Sequence, residues 1–119
     1  KQLIVHMCGH LGGEMPSVIA EIDLDGIEAV TPPPLGNADL PALREALGPD
    51  VWLWGGVDPS RYAVAGTEAF ERHVRTTLEA MRGDRKFMLG HEEIPVAARE
   101  GNVAVAARLV AETAEWFYD

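Results

Sequence analysis

The sequence predicts an α/β fold of four consecutive βα units with parallel strands. Three observations carry this expectation. Four short, nearly continuous apolar runs begin at residues 3, 26, 51 and 86, the pattern of strands buried on both faces. Each run is followed by apolar residues at helical spacing. Strand and helix alternate strictly, which implies parallel strands with right-handed crossovers. Periodicity alone admits two architectures: a small open doubly wound sheet, or half of an eight-stranded (β/α) barrel.

The first strand is expected over 3–8. Met15, Val18, Ile19 and Ile22 then fall at i, i+3, i+4 and i+7, and Pro16 is tolerable because it sits in the first helical turn. The second strand covers 26–31. Asp39 can N-cap a short helix with Leu40, Leu43 and Leu47 on its apolar face and Gly48 as its stop. The third strand covers 51–57, and Thr67 can cap a longer helix presenting Phe70, Val74, Leu78 and Met81 and ending near Gly83. The fourth strand covers 86–91. A last helix from about Asn102 carries Val103, Ala107, Val110, Ala114 and Phe117 on one stripe. No linker divides residues 1–119, which read as one unit.

Composition narrows the function classes. A chain of 119 residues, 47% of them hydrophobic, fits one domain. No apolar run approaches the roughly 18–20 residues of a membrane span. A net charge of −9 argues against nucleic acid or an anionic membrane as partner, since both select Lys/Arg clusters. The single cysteine excludes an internal disulfide framework and a four-cysteine zinc module, and it fits a reducing, cytoplasmic setting. The chain opens on Lys1 rather than Met, as part of something longer would.

In either architecture chemistry collects at the carboxyl ends of the strands. Strand 1 ends in His6-Met7-Cys8-Gly9, and the two-residue period puts His6 and Cys8 on one face. Strand 4 ends in Gly90-His91-Glu92-Glu93, with Phe87, Leu89 and His91 on a shared face. Zinc takes three or four His, Cys or carboxylate donors. His6 and Cys8 would supply two from one strand end and His91 a third, leaving an open position for water or substrate. The competing reading is plainer: a lone Cys at a strand end is usually a small packed residue, and a lone His is usually just hydrogen-bonded. Glu28, an acid inside an apolar strand, is suited to general acid–base work if buried, or faces water at an edge or mouth. Asp58, just past strand 3, either orients a ligand or a metal-bound His, or caps the following turn. The Pro32-Pro33-Pro34-Leu35-Gly36 loop shapes the rim. His73 and the acidic positions between 68 and 79 read as a solvated helix face.

Taken in order, His6-x-Cys8-Gly9, Gly26-Ile27-Glu28-Ala29 leading into Pro32-Pro33-Pro34-x-Gly36, Leu47-Gly48, Gly55-Gly56-Val57-Asp58-Pro59, Gly66-Thr67, Leu89-Gly90-His91, Ile94-Pro95 and Glu100-x-Asn102-Val103 resemble the uroporphyrinogen decarboxylase superfamily, which includes cobalamin-dependent methyltransferases. The likeness spans nearly the whole chain. It implies a (β/α)8 barrel of which this chain is the C-terminal half, with the N-terminal half absent. A half-barrel exposes two strand edges that invite self-association.

The resemblance implies two branches. In the methyltransferase branch, His-x-Cys at a strand end and a Cys near the last strand bind zinc. The zinc, a Lewis acid, activates a thiol acceptor or assists methyl transfer to or from a corrinoid. In the decarboxylase branch no metal is used, and Arg and other donors hold the substrate carboxylates. His6 and Cys8 match the first branch, whereas His91 sits in a Leu-Gly-His context closer to the second. Basic residues at the strand exits are scarce, with Arg61 alone near the third, which favours the methyltransferase branch. The expectation is therefore a zinc-dependent, corrinoid-linked methyltransferase with zinc on His6, Cys8 and His91 and with Glu28 and Asp58 as orienting groups. Its partners would be a small-molecule methyl donor or acceptor and a corrinoid protein. The alternatives are a metal-free uroporphyrinogen decarboxylase and a non-catalytic α/β binding module.

Overall fold

The four apolar runs become four strands because continuous Val, Ile, Leu and Trp suit a sheet packed under helices. A computed structural model describes residues 1–91 and 93–118. Its strands are β1 (Ile4–His6), β2 (Gly26–Val30), β3 (Trp52–Gly56) and β4 (Phe87–Gly90). All neighbours are parallel and the sheet order is β1-β2-β3-β4. A doubly wound sheet reverses its strand order at a switch point; this sheet does not.

The helices are α1 (Met15–Ala20), α2 (Leu40–Leu47), α3 (Ser60–Val64), α4 (Thr67–Ala80), α5 (Glu100–Thr113) and α6 (Glu115–Tyr118). Pro16 sits in the first turn of α1, and Asp39 caps α2 by accepting from the Ala42 amide at 2.9 Å. The α2 stop is Gly48, at φ 78°, a conformation that favours glycine. No helix among the described residues is long and apolar enough to cross a membrane.

The two faces of the sheet differ. Ile27, Leu53 and Phe87 are buried in one core with Leu43, Phe70, Val74, Leu78 and Leu109 from the helices. On the opposite face Ile4, Trp54 and Met88 are exposed. Trp54 lies across β4, where a Cβ on Gly90 would collide with its indole. Helices thus cover one face, and an apolar sheet surface is left bare on the other.

Three details correct the sequence reading. Thr67 does not cap α4: it is the first helical residue, and Gly66 holds the cap position without a side-chain bond. The last long helix starts at Glu100 and buries Asn102, Val105, Ala106, Leu109 and Thr113. The expected stripe of Val103, Ala107, Val110 and Ala114 instead flanks the open edge of β4, beside Leu89; only its last member, Phe117, is buried. The short helix α3 was not anticipated. Its C-terminal carbonyls are held by the fully buried Asn102, whose Nδ2 donates to the carbonyls of Arg61, Tyr62 and Ala65 at 3.3, 3.1 and 3.0 Å.

Candidate functional site at the strand ends

His6 ends β1 and is register partner to Glu28 of β2. On the bare face, His6 Nδ1 lies 2.9 Å from Glu28 Oε1. In the tautomer that donates from Nδ1, the Glu28 carboxylate accepts and the lone pair of the ring lies on Nε2. The next residue, Ala29, adopts φ 63°, which costs a non-glycine residue roughly 1 kcal/mol. The β2–β3 register shifts between Ile27 and Val30 at the same point, so a bulge sits directly after Glu28, as bulges often do where a strand re-aims a side chain. Thr31 Oγ1 ties it down by donating to the Ala29 carbonyl at 2.9 Å. Gly55 admits this backbone, since a Cβ there would strike the Val30 carbonyl. Cys8 follows His6 by two residues and is an exposed free thiol.

His91 lies elsewhere. Met88 faces the bare side, so Phe87, Leu89 and His91 take the helix side. There the imidazole meets the Tyr62 ring edge-on at 5.0 Å between centroids and lines a depression with Ile94, Val103 and Ala107. Burial pulls its pKa below the ordinary imidazole value, partly opposed by the Glu93 backbone. Its strand is also three spacings from β1, on the order of 14 Å across a sheet. The structure therefore brings His6 and Glu28 together and does not bring His91 to them. Glu92 lies outside the described residues.

Asp58 is fully buried and holds the rim. One carboxylate oxygen accepts from the Ser60 amide at 2.8 Å and the Ser60 hydroxyl at 2.6 Å, and the other accepts from the Leu35 amide at 2.7 Å. Arg61 ties down the same proline loop by donating to the Pro33 carbonyl at 3.2 Å. His73 is half-buried rather than solvated. Burial lowers its pKa, Arg61 adds to the effect, and the Gly56 carbonyl and Asp58 oppose it. It lines a groove of about 320 Å³ with Pro32, Asp39, Gly56 and Thr77 on the helix side, away from the His6–Glu28 pair. Of the acidic positions of α4, Glu68 and Glu79 are exposed as expected, whereas Glu71 is half-buried where it pairs with Arg75 at 3.1 Å and Arg108 at 3.0 Å.

Zinc fits this donor set in part. A ligating imidazole is normally supported through its other nitrogen by a carboxylate, which is the relation Glu28 bears to His6. Cys8 offers a thiolate from the same strand end. Among the described residues no group of three His, Cys, Asp or Glu side chains is gathered closely enough to hold a metal ion.

The chain matches no protein-family model, and no curated protein matches it.

Proposed function

We propose that the chain forms one half of a (β/α)8 barrel of the uroporphyrinogen decarboxylase superfamily and acts in zinc-dependent, corrinoid-linked methyl transfer. The barrel reading is supported by the consecutive parallel order and by helices confined to one face; a barrel interior is such a bare face, filled by layers of side chains from alternate strands. The chemistry rests on one observation, the 2.9 Å contact between His6 Nδ1 and Glu28. Glu28 fixes the tautomer and orientation of His6, and Cys8 stands on the same strand end. His6 and Cys8 are the ligands this chain would contribute; His91, packed on Tyr62, is not one of them. Bound there, zinc would keep an acceptor thiol deprotonated and nucleophilic near neutral pH. Asp58 and Arg61 hold the proline loop as a fixed rim over which a small-molecule substrate or a corrinoid protein docks.

Elemental analysis of protein purified without chelators tests this reading. About one zinc per mouth, lost in Cys8→Ser, is expected. Unchanged zinc content in Cys8→Ser refutes the ligand assignment. A second reading, metal-free decarboxylation, draws on the position of His91 outside the pair. It predicts no zinc in folded protein, with His6–Glu28 acting as a proton-holding pair.

A further inference from the structure

Cys8 lies beyond the sheet. β1 ends at His6, and the ladder beyond it continues only as the bond from the Met7 amide to the Glu28 carbonyl at 3.0 Å. Directly after Cys8, Gly9 turns the chain at φ 99°, a conformation that favours glycine. A binding site works only when its groups are held within about 0.5 Å of the productive geometry. The hold on this turn has to come from another element.

It comes from the proline loop after β2. That loop is tied to itself: the Thr31 carbonyl accepts from the Ala38 amide at 3.1 Å, and the Pro32 carbonyl from the Gly36 amide at 3.2 Å. Asp58 and Arg61 anchor it from β3 and α3, at the Leu35 amide and the Pro33 carbonyl. Its far end meets the Cys8 turn at two points. A Cβ on Gly36 would strike both the Gly9 and the Thr31 carbonyls, so a glycine is what lets the two loops touch there. One residue on, Asn37 Oδ1 accepts from the Gly12 amide at 2.8 Å. Leu11, between these contacts, is buried.

We infer that Asn37, seated by Gly36, is a positioning residue that holds Cys8 beside His6 for metal binding. The short span from residue 8 to 11 is fixed at both ends, by the Met7–Glu28 bond before it and the Gly12–Asn37 bond after it. Its backbone freedom is thus spent in folding rather than when the thiolate is called on to bind. Both loops belong to residues 1–119, so the brace does not depend on what covers the sheet.

The inference rests on the reading of His6 and Cys8 as metal ligands. Cobalt(II) titration of the complete protein tests both, because a cobalt–thiolate bond adds an intense near-ultraviolet band. Asn37→Ala removes the acceptor at an exposed side chain and leaves the core intact. It should weaken cobalt binding roughly tenfold, the lower end of what losing a group behind a metal ligand costs, and diminish the thiolate band. Asn37→Asp keeps an oxygen that accepts from Gly12 and should restore both. In metal-free protein the Gly12 amide should exchange with solvent faster in Asn37→Ala than in wild-type, with the Met7 amide unchanged. Wild-type affinity and band in Asn37→Ala, unchanged Gly12 exchange, or a loss that Asn37→Asp does not restore overturns the inference and leaves the ligand reading standing. Wild-type protein that binds no cobalt, or binds it without a thiolate band, overturns both.

Discussion

Asp58 shows how much one buried carboxylate can organise. It accepts three hydrogen bonds while fully excluded from solvent, and bonds to a charged acceptor contribute about 1.5–3 kcal/mol each, not additively. Asp58→Ala should therefore destabilise the chain by about 3 kcal/mol in urea unfolding, and the Leu35 amide should exchange faster with solvent. An unchanged midpoint would show that the proline loop holds without it. The half-buried histidines set a pH dependence. His73 and His91 have folded pKa values below the ordinary 6.5, so the unfolded chain binds protons first as pH falls. Stability is then full above about 6.5 and is lost downward toward the folded values. Glu71 is depressed by Arg108 and Arg75, and its contribution is lost only below the usual carboxyl range. The melting temperature should fall between about pH 7.5 and 5.5, and His73→Gln should flatten that fall. Parallel profiles for the two proteins would remove His73 as a cause.

At the scale of elements, the sheet is stapled at its lower end by Arg44 of α2. Its guanidinium grips Asp84 through Nε at 2.7 Å and Nη2 at 3.2 Å, and donates to the carbonyls of Gly48 at 2.5 Å and Val51 at 2.8 Å. Lysine keeps the charge but has no planar fork, so Arg44→Lys should cost about 2 kcal/mol by thermal or urea unfolding. A loss near zero would mean that solvent replaces these bonds. The role of Arg44 was illegible in the sequence because its charged partner, Asp84, lies 40 residues away. The strands were legible because a continuous apolar run has one favourable use in a small α/β chain. The α5 stripe was legible as apolar, but the helix turns the neighbouring face, with Val105, Ala106 and Leu109, into the core, because tertiary packing rather than periodicity sets which side meets the sheet. The α3 turn was missed because its signal is tertiary, the Asn102 amide reaching three carbonyls.

For the whole molecule, the site was half legible. Alternation put His91 in the row of Phe87 and Leu89, but it cannot say which row of each strand faces the helices, and it does not reach Cys8, which lies beyond the end of β1 at His6. The pairing of Glu28 with His6 depends on the β1–β2 register, and the bulge at Ala29 has no sequence marker. The consecutive sheet order and the bare face support the half-barrel we propose, which would put the His6–Glu28 pair at its mouth. The most direct test is zinc affinity by chelator competition on wild-type, Glu28→Gln, Cys8→Ser and His91→Ala proteins, each first shown to be folded. Wild-type should bind, Cys8→Ser should lose the metal, and Glu28→Gln should weaken it roughly 10–100-fold, the usual effect of losing a carboxylate behind a ligating His. His91→Ala should match wild-type. Folded wild-type protein that takes up no zinc, or a Glu28→Gln variant that binds as tightly as wild-type, would contradict the account.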